Sequence, residues 1–225
     1  MGLYGNEVGE GAGFSNVKQK PIFIAAGLGR CGTSLVTRVL AEAFGYEYTW
    51  VTDLDVTRRW KHKVFKTHDY APARAYPGVF KFIYLFGNPM NIACSVDLKG
   101  QRFVDQHYLH LHSDPALHPQ WQDRDTMKLA ENLDSWHRSH EFDLLTLRYE
   151  TLFDNGAAIE EFVEHKIVMP EFRNRKANWE EHSAADRIGR TYAELNETIN
   201  RAEDARIWRG APRLDLALWQ RLRGV

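Results

Sequence analysis

Apolar runs and amphipathic stretches alternate along this chain of 225 residues. Pro21–Ala26 (PIFIAA) is a short unbroken apolar run, the pattern of a strand buried on both faces. Ser34–Ala43 then carries Leu35, Val36, Val39 and Leu40 on one helical face. His62–Thr67 (HKVFKT) and Val79–Phe86 (VFKFIYLF) read as a second and a third strand, the latter rich in aromatic and β-branched residues. Asn88-Pro89 ends the third strand, and Met90–Leu98 opens a helix, since proline suits a first helical turn. Asp125–Ser139 spaces Leu129, Leu133 and Trp136 for one face, Phe142–Leu147 reads as a fourth strand, and Ile159–Lys166 and Ala184–Arg201 as helices. Strands separated by helices predict an α/β fold, a central parallel sheet with helices on both faces. Such sheets bind ligands at the carboxyl ends of their strands. Gly27–Ser34, Lys66-Thr67-His68 and Gly87-Asn88-Pro89 all fall there.

Two segments depart from this alternation. Residues 1–20 contain five glycines (Gly2, Gly5, Gly9, Gly11 and Gly13) and no apolar signal core, and read as a flexible tail. Residues 101–125 are dense in histidine, aromatic and polar side chains, and read as either a lid or a helix with a loop. The rest, 21–225, is expected to form one domain.

Composition narrows the function classes. The formal net charge is −1, so no global field draws nucleic acid or any other anion, and an anionic ligand needs a local basic cluster. Two cysteines, Cys31 and Cys94, make no disulfide framework and point to a reducing, cytoplasmic compartment. No apolar run approaches the ~18 residues of a membrane helix.

The stretch Gly27-Leu28-Gly29-Arg30-Cys31-Gly32 has the glycine spacing of a phosphate loop between a strand and a helix, the arrangement of P-loop nucleotide-binding folds. Thr33-Ser34 follows where a nucleotide triphosphatase places Lys and then Ser or Thr. No strand ends in an acidic residue to hold Mg²⁺. Backbone N–H groups, the helix's positive end and the two hydroxyls suit a phosphate or sulfate; the alternative is a turn that only packs strand to helix. Arg30 either meets the same anion or caps a neighbouring loop at the surface. His107, His110 and His112 lack the spacing and partners of a metal site, and read as exposed histidines of a helix or lid.

Gly29-Arg30-Cys31-Gly32-Thr33-Ser34 resembles the opening loop of sulfotransferases that use 3′-phosphoadenosine 5′-phosphosulfate (PAPS). The likeness continues in the family's order through Lys66-Thr67-His68. It runs on through Ile83–Pro89 with Ser95, then Leu147-Arg148-Tyr149-Glu150-Thr151-Leu152, and a late stretch, 175–182 (RKANWEEH). It implies that residues 21–225 form a sulfotransferase-like domain moving a sulfuryl group from PAPS to an acceptor hydroxyl, without a metal. Carbohydrate is one acceptor class and a phenol or other small alcohol another.

By this resemblance Arg30 and Lys66 are the cations at the reacting centre and His68 is the general base. Gly29, Arg30, Cys31, Gly32, Thr33, Ser34, Ser95, Tyr149, Arg175 and Lys176 hold the donor, and Trp179 covers its base. Packing roles compete for Tyr149 and Trp179, and a backbone-satisfied loop histidine competes for His68. The family's arginine before Asn-Pro is Gly87 here, with Arg102 and Arg173 as candidate substitutes. Two other function classes stay open: a P-loop small-molecule kinase needing ATP and Mg²⁺, and a non-catalytic descendant that binds nucleotide or glycan.

Overall fold

A computed structural model describes residues 21–51, 64–72, 80–138, 142–171 and 178–210. The expected N-terminal tail lies outside these residues, as do Arg173, Arg175 and Lys176. Six strands form one sheet: β1 (Ile22–Gly27), β2 (Tyr48–Trp50), β3 (Val64–Lys66), β4 (Phe80–Phe86), β5 (Asp143–Arg148) and β6 (Ala205–Trp208). Their order is β2-β3-β1-β4-β5-β6. All neighbours are parallel except β6, which runs antiparallel to β5. The helices are α1 (Thr33–Phe44), α2 (Pro89–Asp97), α3 (Gln101–His110), α4 (Leu129–His137), α5 (Gly156–Val163) and α6 (Ala185–Arg201).

Every residue of β1 and β4 is buried, as their unbroken apolar runs require of strands covered on both faces. Successive side chains of β4 point to opposite faces. Phe82 and Tyr84 lie against Trp136 of α4, with ring centroids 5.6 and 5.2 Å apart. Lys81, one residue before Phe82 and so on the opposite face, turns to α5 and donates from Nζ to the Phe162 carbonyl at 2.7 Å and to Glu164 at 2.8 Å. Helices therefore cover both faces of the sheet.

The expected strands and helices are present, with four corrections. The helix expected over Ile159–Lys166 instead spans Gly156–Val163, because Glu164 turns left-handed (φ 58°) and ends it. The expected helix from Asp125 starts only at Leu129, because Lys128 takes a left-handed conformation (φ 55°) and Asp125 folds back to accept the Ala130 N–H. Of the two readings of 101–125, the helix with a loop holds: α3 is followed by a 3-10 turn at Pro115–Gln120. The two edge strands, β2 and β6, were not expected, and β6 makes the sheet mixed. Among the described residues no helix is long and apolar enough to cross a membrane.

β1 sits between β3 and β4, where the direction of strand succession reverses. Crevices in open α/β sheets form at such a switch point. The loop from β1 to α1 lies at this one.

Candidate active site

Between Gly27 and Thr33 the chain turns through Leu28–Gly32. Gly29, Arg30 and Gly32 all have positive φ, at 80°, 52° and 92°. Glycine adopts this conformation freely; for Arg30 it costs about 1–2 kcal/mol. Gly27 is needed for a different reason, since a Cβ there would lie 2.4 Å from the Leu85 carbonyl oxygen. That carbonyl accepts the Leu28 N–H at 3.3 Å and the Cys31 thiol at 3.0 Å, which ties the loop to β4. Gly32 is the N-cap of α1, with no side-chain cap and no acidic residue in the first turn. The positive end of α1 is thus left for an anion.

Three of the side chains expected at the site lie around this loop. Arg30 Nε donates to Ser95 Oγ of α2 at 2.8 Å, and its guanidinium lies 5.6 Å from the Phe103 ring centre. Lys66, at the end of β3, donates to Ser34 Oγ at 2.6 Å and stands 4.3 Å from the Trp50 ring centre. Burial pulls the Lys66 ammonium down to about 8; Arg30 adds to the shift and Cys31 opposes it. His68 is 5% exposed, and its Nδ1 lies 2.7 Å from the Gly27 carbonyl oxygen. A carbonyl can only accept, so Nδ1 carries the proton and Nε2 keeps its lone pair. Burial holds His68 well below the ordinary imidazole value; His107, Lys66 and His110 push the same way, against the Gly27 bond. At neutral pH the ring is an uncharged base.

The His68 backbone is fixed from α4. Asn132 Nδ2 donates to the carbonyls of His68 (3.2 Å) and Asp69 (3.4 Å), and Trp136 Nε1 donates to Asp69 at 3.0 Å. Tyr84 of β4 in turn donates to Asn132 Oδ1 at 3.0 Å.

A cavity of about 850 Å³ opens over these groups. Its lining includes Arg30, Ser34, Lys66, His68, Ser95 and Tyr149, with Gly32 and Thr33 beneath them. Of the expected donor-binding residues, Gly29 and Cys31 do not line it: Gly29 lies under His107, and Cys31 is buried below the loop. Tyr149 packs on Gly32, its ring carbons 3.0 and 3.3 Å from where a Cβ would be. Trp179 packs against the core and Gly189, away from this lining. Arg102 is exposed and is not part of the lining. No Asp or Glu is found among the described lining residues.

The end of β4 is different. Glu150 Oε1 accepts the Asn88 N–H at 2.9 Å, and both carboxylate oxygens lie 3.0–3.1 Å from the Cβ position of Gly87. A carboxylate therefore borders the place where the sequence resemblance calls for an arginine.

Sequence reasoning missed several groups. His107 is not an exposed lid residue: it is 3% exposed and packs on the loop. His110 is half-buried beside Trp50, at 4.5 Å between ring centres. Arg38 and Lys99 add two cations to the cavity lining. The i, i+4 spacing of Arg38 from Ser34 on α1 was an available signal for the first of them. Among the described residues, no group of three or more His, Cys, Asp or Glu is arranged to hold a metal ion.

No family model and no curated protein sequence matches the chain. Among solved structures, mouse sulfotransferase SULT7A1 complexed with PAP is similar over 82% of this chain and 68% of its own, at 15% identity and a TM-score of 0.41.

Proposed function

We propose that this chain is a PAPS-dependent sulfotransferase acting on an acceptor hydroxyl. The observation that carries the reading is the convergence of Arg30, Lys66 and His68 on one glycine loop, with His68 Nε2 left unprotonated. The donor supplies an activated sulfuryl group on a 5′-phosphate. In this reading the loop and the start of α1 seat the phosphosulfate. Arg30 and Lys66 offset the charge that grows on the leaving phosphate, as fixed cations in a partly desolvated site do best. His68 Nε2 accepts the proton of the attacking hydroxyl while Gly27 holds the ring in that tautomer.

A P-loop kinase would need a carboxylate near the phosphates for Mg²⁺, and the described lining offers none. The domain is read as one sulfotransferase-like unit, with carbohydrate, phenol or other small alcohol as acceptor. Thermal shift with adenosine 3′,5′-bisphosphate, beside ATP with Mg²⁺, tests the assignment. Stabilisation by the bisphosphate alone supports it. Stabilisation only by ATP with Mg²⁺ favours the kinase. Bisphosphate binding without sulfuryl transfer to any hydroxyl acceptor leaves the non-catalytic reading.

A further inference from the structure

His107 comes from α3, outside every motif that carries the family resemblance, yet it lies on the loop. A Cβ on Gly29 would fall 2.1 Å from His107 Cε1, 2.8 Å from Nε2 and 3.2 Å from Nδ1. The ring thus presents its N–C–N edge, which bears both nitrogens, to the backbone of Gly29. Phe103 stacks against the ring, with centroids 5.9 Å apart and planes 15° from parallel, and His68 is 5.6 Å away. His107 Nε2 is buried and has no hydrogen-bond partner among the described residues. Buried polar atoms are nearly always paired, so an unpaired one on a residue that lines the cavity points to a partner that arrives with the ligand. Burial, then His110, Arg30 and Lys66, pull the ring down to about 3. It is neutral at working pH and carries one N–H. Arg30 and Lys66 flank the same space.

We propose that His107 is a ligand-binding residue of the reacting centre, donating a hydrogen bond from its ring to an oxygen of the sulfuryl group seated on the loop. The inference rests on the sulfotransferase reading. Gly29 acquires a second role through it. Besides permitting a positive φ, its missing side chain lets the imidazole reach the bound anion.

The test is titration calorimetry without acceptor, comparing PAPS with adenosine 3′,5′-bisphosphate, which lacks only the sulfuryl group. His107→Phe keeps a ring against Phe103 and Gly29 and removes both nitrogens. It should lower PAPS affinity about ten- to a hundredfold, the worth of one hydrogen bond to a charged group, and leave bisphosphate affinity within about twofold. His107→Asn, which retains an N–H donor, should recover part of the loss. The ratio of PAPS affinities between the unaltered chain and His107→Phe should stay constant from about pH 5 to 7, below the fall of Lys66 near 8, because a neutral donor does not titrate there.

Equal weakening of both nucleotides would make His107 a packing residue and overturn the proposal. Unchanged PAPS affinity in His107→Phe would do the same. If the unaltered chain binds neither nucleotide, the sulfotransferase reading fails first and takes this inference with it.

Discussion

The carboxyl ends of β3 and β4 flank β1 and are furnished in opposite ways. β3 delivers a cation and an uncharged base, Lys66 and His68, fixed by hydrogen bonds to Ser34 and Gly27 on either side of the loop. β4 delivers Gly87 and Asn88, with the Glu150 carboxylate against them. In the proposed reading the first end is equipped for chemistry. The second lacks the positive charge that would anchor a remote phosphate of a nucleotide. The contrast separates turnover from affinity, and substitutions at the two ends should therefore fail in different ways.

The largest effect belongs to the β3 end. His68→Ala should lower turnover by about 10²–10⁴-fold, the usual worth of a general base, with adenosine 3′,5′-bisphosphate binding retained in calorimetry. Near-normal turnover would remove His68 from the mechanism. Next comes the loop that both ends share. Arg30→Ala should weaken PAPS binding by about 1.5–3 kcal/mol and lower turnover as well, with partial recovery in Arg30→Lys. Normal PAPS affinity in Arg30→Ala would make its Ser95 bond purely structural.

At the β4 end the expected change is smaller and of opposite sign. Gly87→Arg should raise the preference for adenosine 3′,5′-bisphosphate over adenosine 5′-monophosphate by up to about tenfold, since Glu150 competes for the new guanidinium. No change in that ratio would mean that the 3′-phosphate does not approach this corner. The mildest test is pH. In the proposed mechanism Lys66 acts as a cation, and burial lowers it to about 8, so kcat/KM should fall as pH rises through that value. His68 is held well below 6.5, so no matching loss is expected between neutral pH and that point. Lys66→Arg should remove the alkaline fall, because arginine stays charged.

What could be read from the chain alone follows the same division. β1 and β4 announce themselves as unbroken apolar runs because both their faces are covered. The glycine spacing marks the loop because positive φ leaves few alternatives. β2 and β6, three and four residues long and partly exposed, carry no periodicity that a sequence could show. His107 stayed hidden for a different reason. Its burial comes from a contact with Gly29, 78 positions earlier, and one histidine among ten gives no local sign of such a partner. Glu150 was visible as part of a motif, but its closeness to Gly87 depends on how β4 and β5 are registered, with Phe86 opposite Arg148.

Cys31 turns the loop into its own reporter. Its sulfur is fully buried and donates to the Leu85 carbonyl, so a thiol reagent can reach it only when the loop lifts away from β4. The rate of Cys31 alkylation would then count loop openings directly. Cys94, buried in α2 and pushed up to about 11 by burial and by Asp97, supplies a slow internal reference in the same molecule. A nucleotide that seats on the loop should slow labelling at Cys31 and leave Cys94 unchanged, giving a measure of occupancy that needs neither an acceptor nor turnover.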